Sequence, residues 1–494
     1  MGFRSMFMKK KYYRLFIKGG VLSPGELKLI VMKLMEKGLE HISFGSRQDI
    51  LFSTEIPLKD LHFSADISCV FPNQKEKENI VCSYLSTDIL STTPWLTGDR
   101  YLYILEQFKF HPKLKINIVD PLQRLVPLFS GQINFIASKH EDYWYLYLQM
   151  PNWESPELYP ALIYSWDIAT LSKTIENLIP EEFDSIETLF DVINDLVETN
   201  NRTIDSPLNN PFHPFPYYEG MNKMGTDKYW LGLYWRNNKY DLPFLLALCE
   251  LCAESKIGKI CITPWKSFII KGIPGESKLR WEKYLGSQGI NVRHSQLELN
   301  WHLPVGDRHA LKLKNYLVTK LDQHDISTYG LTIGISERCS KVFHFTSIVI
   351  QRNPSVSDQH NLQLRTTYNL NYAKNFDPNT RIYRTYALEV DKMELPGLLM
   401  ELSKQYFHTL GEGIEESAEQ AITSKIQSPK PFTEVQIYQC TDCLTVYDQT
   451  YGDSSQNIPE KTPFEQLPET YRCSLCEAPK SNFSPIILPT TPTR

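Results

Sequence analysis

The sequence predicts an α+β protein in which a β-α-β-β unit occurs twice, followed by a small metal-bound β domain at the C-terminus. Three observations carry this prediction. The stretch YYRLFIKGGVLSPGELKLIVMKLMEKGLEHISFGSRQDILFS alternates strand-like and helix-like segments, and a similar pattern returns roughly 216 residues later. Two C-x-x-C pairs then lie close together near the end of the chain.

The first unit contains a strong helix-start signal. A strand is predicted from Tyr12 to Ile17, and the helix that follows has Ser23 as its N-cap. Pro24 takes the first helical position and Glu26 completes a capping box. Two further strands are predicted around Glu40–Phe44 and Asp49–Phe52, which gives the order β-α-β-β.

The second unit, YWLGLYWRNNKYDLPFLLALCELCAESKIGKICITPWKSFIIKGI, repeats the same order. A second pair of stretches also matches, since LKINIVDPLQRLVPLFSGQINFIAS resembles LTIGISERCSKVFHFTSIVIQR in its spacing of apolar runs. An internal duplication accounts for both matches, and a further helix is expected around 389–410. The predicted divisions are a first half at 10–200, a second half at 215–412, a linker at 413–433 and a metal domain at 434–486.

Composition limits the functions to consider. The chain has 494 residues and a formal net charge of −5, which gives no support to nucleic-acid binding through a basic surface. No apolar run reaches the 18 residues that suggest a membrane span, and the basic N-terminus lacks the apolar core of a signal peptide. A cytoplasmic protein without a membrane partner is therefore predicted.

The cysteine pairs predict a metal site. Their spacing is Cys440-x2-Cys443-x29-Cys473-x2-Cys476, and four thiolates favour a tetrahedral site for zinc or a single iron. The central gap is longer than the roughly 15–20 residues of generic zinc ribbons, so spacing alone leaves the metal open. The surrounding aromatic residues predict a small aromatic core: Tyr438, Tyr447, Phe464, Tyr471 and Phe483.

The stretch from Tyr438 to Phe483 closely resembles rubredoxin. The resemblance implies one iron ion that cycles between Fe3+ and Fe2+, and an electron carrier rather than a catalyst, because four thiolates leave no open position for a substrate. Two positions depart from the family, since Leu444 and Glu477 stand where its knuckles normally have glycine. Tyr471 stands where tryptophan is usual.

The large N-terminal part resembles the ferredoxin-like half-domains of sirohaem-dependent nitrite and sulfite reductases. IKGGVLSPGELKLI, SFGSRQDILF and ENIVCSYLSTD carry this resemblance, and so does LKINIV. It implies an anion- or tetrapyrrole-binding role for Arg47 and for the K-x-K pair Lys113 and Lys115. An ordinary solvated sheet face is the alternative. Glu78 stands where the family has a second arginine, which reverses the charge.

The cysteines that would hold a [4Fe–4S] cluster are missing from the matching stretches. LELNWHLPVGDRHALKLK has none, and ISERCSKVF keeps only Cys339, whereas a four-iron cluster needs several thiolates. We therefore expect neither the cluster nor sirohaem. The remaining cysteines are expected to be small core residues: Cys69, Cys82, Cys249, Cys252, Cys261 and Cys339.

Together these features predict an electron carrier, not an enzyme, whose large module docks redox partner proteins. The partners would be a reductase that donates electrons and an assimilatory nitrite or sulfite reductase that accepts them. Two alternatives remain: a sirohaem-binding nitrite or sulfite reductase fed by its own rubredoxin domain, and a zinc-ribbon binding or assembly protein.

Overall fold

The computed structural model divides the chain into two compact units, Met1–Leu410 and Gly411–Arg494. It describes residues 12–54, 63, 68–70, 77–150, 153, 155–178, 183–290, 296–337, 344–353 and 366–423. It also describes residues 435–488, apart from gaps of one or two residues.

The first half of the large unit contains the strands β1 (Tyr12–Phe16), β2 (Val21–Leu22), β3 (His41–Phe44), β4 (Ile50–Ser53), β5 (Ser68–Val70), β6 (Val81–Cys82), β7 (Ile116–Val119), β8 (Ile133–Ala137), β9 (Tyr143–Leu148), β10 (Glu157–Leu158), β11 (Ala161–Tyr164) and β12 (Asn201–Thr203). Its helices are α1 (Pro24–Glu36), α2 (Gly98–Gln107), α3 (Ile168–Leu178) and α4 (Ile186–Leu196).

The second half contains β13 (Gly220–Met224), β14 (Lys228–Tyr234), β15 (Tyr240–Asp241), β16 (Ile260–Ile262), β17 (Ser267–Pro274), β18 (Trp301–His302), β19 (Ile333–Glu337), β20 (Ile348–Arg352), β21 (Tyr368–Ala373) and β22 (Tyr383–Val390). Its helices are α5 (Leu242–Glu254), α6 (Lys278–Ser287), α7 (Gln296–Leu299), α8 (Arg308–Gln323) and α9 (Leu395–Thr423). The C-terminal unit adds β23 (Val435–Cys440), β24 (Val446–Tyr447) and β25 (Phe483–Leu488).

Two small sheets show the duplication and exchange a strand. Their orders are β15-β3-β4-β1-β5 and β2-β16-β17-β14-β13, so corresponding strands occupy corresponding places. Strand β2 of the first half pairs with β16 of the second, and β15 of the second half pairs with β3 of the first. Helix α1 packs against α5 across this exchange. The two small sheets therefore pack around one shared hydrophobic core rather than two separate ones.

Two large sheets repeat a second topology. In the first, β6, β7 and β8 are parallel and β9 then pairs antiparallel with β8. In the second, β18, β19 and β20 are parallel and β21 pairs antiparallel with β20. The parallel strands bring the loops that follow them to one edge of each sheet, which is where polar sites form in such sheets.

The helix-start prediction is confirmed in detail. Ser23 Oγ accepts from the Glu26 backbone N–H at 3.1 Å, and the Glu26 carboxylate accepts from the Ser23 N–H at 2.6 Å. The last helix differs from its prediction, because it begins at Leu395 rather than near residue 389 and continues to Thr423. Pro396 stands in its first turn, where proline is compatible with a helix. Residues 413–423, assigned from sequence to a linker, are therefore helical.

The C-terminal unit is built around a three-stranded antiparallel sheet in the order β24-β23-β25. Tyr438 pairs with Tyr447 on one side and with Pro485 on the other. Cys440, at the end of β23, pairs with Phe483 at the start of β25. Within the described part of the chain, no helix is long and apolar enough to cross a membrane.

Candidate metal centre

Three predicted ligands converge in the C-terminal unit. The sulfur atoms of Cys440, Cys473 and Cys476 all lie within 4.8 Å of one another, and the Cys440 and Cys476 sulfurs are 3.7 Å apart. A tetrahedral ion with metal–sulfur bonds of about 2.3 Å requires sulfur–sulfur distances of about 3.8 Å. The donor set therefore fits a tetrahedral thiolate site. The fourth predicted ligand, Cys443, lies outside the described residues.

The two cysteine-bearing turns have the same backbone closure. The Cys440 N–H donates to the Thr445 carbonyl and the Cys473 N–H donates to the Ala478 carbonyl, each at 2.8 Å. Both bonds link a residue to the one five positions later, so the two knuckles are structural equivalents. Cys440 and Cys473 are fully buried, whereas Cys476 is exposed. The site thus has an inner side in the core and an outer side at the surface.

The predicted aromatic core supports the inner side. Tyr447, Phe464, Leu467 and Tyr471 are buried together, with Tyr438 and Phe483 packed against them. Tyr438 stacks on Phe464 with ring centroids 4.0 Å apart. Phe483 also packs against the cluster of Cys440, Cys473 and Ala478, and so joins the aromatic core to the cysteines. In a unit this small, that contact fixes where the ligand-bearing turns lie.

The residues predicted to bind an anion or tetrapyrrole occupy different environments. Arg47 is buried and donates to the Asn117 side chain at 2.7 Å and to the carbonyls of Asn79 and Ile116 at 2.8 and 2.7 Å. Burial lowers the pKa of Arg47 to about 10, and the charge of Glu78 acts in the opposite direction. The three bonds give Arg47 a structural role, and its ligand-binding role stays a prediction.

The K-x-K pair lies just before β7 and its two members are not equivalent. Lys115 is half-buried and close enough to Arg47 and Glu78 to feel both charges: burial lowers its pKa, and Glu78 opposes that shift. Lys113 is exposed, and its backbone N–H donates to the Glu176 carboxylate. The structure thus brings Arg47 and Lys115 close enough to Glu78 for both to feel its charge, and their ligand-binding role stays a prediction.

The two stretches in which the sequence resemblance implied cluster cysteines, 297–314 and 335–343, include β18 and the end of β19. These strands are parallel neighbours, with His302 opposite Gly334. There the ring centroids of His302 and Phe345 lie 4.5 Å apart, and those of Phe345 and Trp265 lie 5.7 Å apart. The Lys266 ammonium donates to the Leu303 carbonyl. Cys339 lies outside the described residues. The described residues at the ends of β18 and β19 pack aromatic and basic side chains together around Phe345.

The other described cysteines occupy the core, as predicted. Cys82, Cys249, Cys252 and Cys261 are buried. Burial raises the pKa of the Cys82 and Cys249 thiols to about 12, which disfavours the reactive thiolate. The side chain of Cys69 lies outside the described residues.

Charged residues that no sequence motif marks also lie around Arg47. Arg14, on β1, lies 2.8 Å from Asp49 and 3.2 Å from Glu78. No motif marks Arg14 or Asp49. Along the chain, Arg14 is 35 residues from Asp49 and 64 residues from Glu78. The pairing of β1 with β4 brings Arg14 close to Asp49, the residue directly before β4.

Comparison with solved structures shows the fold of the large unit. The structure of Mycobacterium tuberculosis NirA protein matches with a TM-score of 0.61 and 15% sequence identity, covering 79% of this chain and 80% of that chain. At this identity the match shows the fold alone. It confirms the fold class and the reductase-like architecture predicted for the N-terminal part.

The rubredoxin family model matches residues 437–483. "Probable Rubredoxin-2" of Methanocaldococcus jannaschii is 49% identical over 53 residues, which are 11% of this chain and 94% of that protein. "Probable Rubredoxin-1" of the same organism is 51% identical over 51 residues, 10% of this chain and 64% of that protein. "High molecular weight rubredoxin" of Moorella thermoacetica is 35% identical over 81 residues, 16% of this chain and only 35% of its own length. Through its C-terminal unit, the chain belongs to the rubredoxin family.

Proposed function

We propose that this protein is an electron carrier whose single iron ion is held by Cys440, Cys443, Cys473 and Cys476. The observation that supports this proposal is the convergence of three cysteine sulfurs at tetrahedral spacing inside a rubredoxin-family unit. Iron surrounded by four thiolates changes its charge by one electron and has no open position for a substrate. The residues around the site then shield the iron from water and provide the surface that partner proteins contact.

The burial of the ligands suggests the route of transfer. Cys440 and Cys473 face the aromatic core, which keeps water from the inner side of the site. Cys476 is the exposed ligand among those described, so a partner that contacts this surface comes closest to the metal there. One-electron exchange at an exposed ligand requires no cavity and no general acid or base.

We further propose that the large unit provides docking in nitrite or sulfite assimilation and that the protein works in the cytoplasm. The support is the NirA-like fold combined with a rubredoxin unit in the same chain. In this proposal the large unit performs no chemistry. Glu78 among the basic residues at Arg47, and the packed corner around Phe345, motivate that view.

The test is metal analysis together with an absorption spectrum of the purified full-length protein before and after dithionite. The proposal expects one iron per chain and a red ferric–thiolate spectrum that bleaches on reduction and returns in air. Zinc in place of iron would overturn it in favour of a binding or assembly protein. Sirohaem absorbance with nitrite or sulfite turnover would overturn it in favour of an enzyme.

A further inference from the structure

The second metal-binding turn contains a residue in a costly backbone conformation. Glu477, directly after the exposed ligand Cys476, has a φ of 60°. This left-handed region suits glycine, because any Cβ crowds the neighbouring carbonyl oxygen. The conformation is needed here, since it lets the chain turn back after the Glu477 N–H, which bonds to the Cys473 carbonyl at 2.9 Å, so that the Ala478 carbonyl accepts from the Cys473 N–H at 2.8 Å.

Arg472 lies on the other side of this turn and holds it. Its guanidinium Nη1 donates to the Glu477 carbonyl at 3.1 Å, across the turn that carries Cys473 and Cys476. Arg472 itself also pairs with Pro479 in an isolated antiparallel bridge. The arginine therefore bonds to the backbone of the strained residue and fixes the far end of the same turn.

A second side chain holds Arg472 in place. The Gln456 amide donates to the Arg472 carbonyl at 2.6 Å, and its oxygen accepts from the Arg472 N–H at 3.3 Å. Gln456 also donates to Asp453 at 3.3 Å, and the Tyr471 hydroxyl donates to the same carboxylate oxygen at 3.0 Å. A continuous hydrogen-bonded chain thus runs from the buried tyrosine to the carbonyl of Glu477.

We propose that Arg472 is a positioning residue for the metal centre, which compensates for the absence of glycine at position 477. By holding the Glu477 carbonyl, it keeps the turn in the left-handed conformation that sets the position of the Cys476 sulfur. The position of a thiolate and the polar groups near it tune the reduction potential of a bound iron. This inference rests on the proposed iron site and adds a residue that acts on it through the backbone.

The experiment is a double-mutant cycle in the full-length protein, with wild type, Arg472→Met, Glu477→Gly and the double variant. Methionine keeps the length of the side chain and removes the donors. Arg472→Met is expected to shift the reduction potential and the sulfur-to-iron charge-transfer bands, and to lower the unfolding midpoint of the metal-loaded unit. In the Glu477→Gly background the same substitution is expected to have a much smaller effect, because glycine adopts the turn without help. Arg472→Lys, which keeps a donor, should restore part of the loss.

The matched control is Lys480→Met. Lys480 also donates from a side chain to a carbonyl, that of Leu467 at 2.7 Å, but outside the cysteine-bearing turns. Its loss is expected to lower the unfolding midpoint equally in both backgrounds and to leave the potential unchanged.

Equal effects of Arg472→Met on the potential with glutamate or glycine at position 477 would overturn the inference. So would an unchanged potential and spectrum in Arg472→Met. Failure of the proposed function is a separate result, since it shows as absence of iron from the wild-type protein. The cycle still reports on the turn in that case, through the unfolding midpoint of the zinc-loaded variants.

Discussion

The carboxylate of Glu78 lies 3.2 Å from the guanidinium of Arg14, and Arg14 in turn lies 2.8 Å from Asp49. Glu78 also opposes the lowering of the pKa of both Arg47 and Lys115. A negative charge of the protein thus stands among the basic groups. It acts as a built-in counter-ion for these basic groups.

Removal of the Glu78 carboxylate should leave the positive charges of Arg14, Arg47 and Lys115 with less negative charge to balance them. Glu78→Gln is expected to lower the free energy of unfolding by about 1.5–3 kcal/mol, the usual range for a hydrogen bond to a charged group. Sulfate should recover part of the loss because it can replace the missing charge. Thermal unfolding with and without sulfate measures this, with the exposed Glu198→Gln as the control. An equal response of both variants to sulfate would contradict the counter-ion role.

Arg47 should be essential for folding of the large unit. Arg47→Met leaves three buried acceptors without their donor, at Asn117, Asn79 and Ile116. Each unsatisfied buried group costs about 1–3 kcal/mol, so a loss of at least about 3 kcal/mol is expected. Chemical denaturation followed by tryptophan fluorescence measures it. A variant that keeps its stability but loses a bound chromophore would instead assign Arg47 to ligand binding.

Lys266 should make the stability of the large unit depend on pH. Burial, with the nearby Lys314, lowers its pKa from 10.5 to about 7 in the folded protein. Between these values the unfolded chain binds the proton and the folded protein does not, so the free energy of unfolding rises with pH. Below pH 7 the penalty is fully present. We expect wild-type stability to rise from pH 7 to pH 10 and the rise to shrink in Lys266→Met, with Lys259→Met as the exposed control.

Loss of one ligand should abolish iron binding. Cys473→Ser replaces a buried thiolate with a poor ligand for iron, so the bound iron and its visible absorption are expected to fall to a small fraction of the wild-type values. Metal analysis and the visible spectrum measure this. Cys249→Ser, which changes a core cysteine on α5, should keep the full iron content. Loss of iron in both variants would show that the assay reports folding rather than ligation.

Local signals predicted the local structure well. The capping box at Ser23 and Glu26 was readable because a helix start depends on residues three positions apart. The metal site was readable for the same reason, since each knuckle is a short motif and the aromatic residues follow a family pattern. The duplication was visible because the order of apolar segments repeats along the chain.

Features that depend on residues far apart in the sequence could not be predicted from it. Nothing near Val21 or Tyr240 indicates that each will pair with a strand of the other half. The end of α9 was placed too early, because residues 413–423 carry few apolar residues and the helical pattern fades there. The helix nevertheless continues to Thr423, since no proline or glycine follows Gly413 to end it. The left-handed conformation of Glu477 was indicated by its place at a usual glycine position, but the bonds of Arg472 and Gln456 that hold this turn were not.

The strand exchange between the halves sets a condition on synthesis at the ribosome. The sheet that begins with Tyr12 receives its edge strand only when Tyr240 and Asp241 have emerged, more than two hundred residues later. Until then the nascent chain exposes an unpaired backbone edge at β3, a surface prone to intermolecular pairing. Chaperone demand should therefore be greatest midway through translation, and a chain truncated before residue 240 should aggregate rather than persist as a stable fragment.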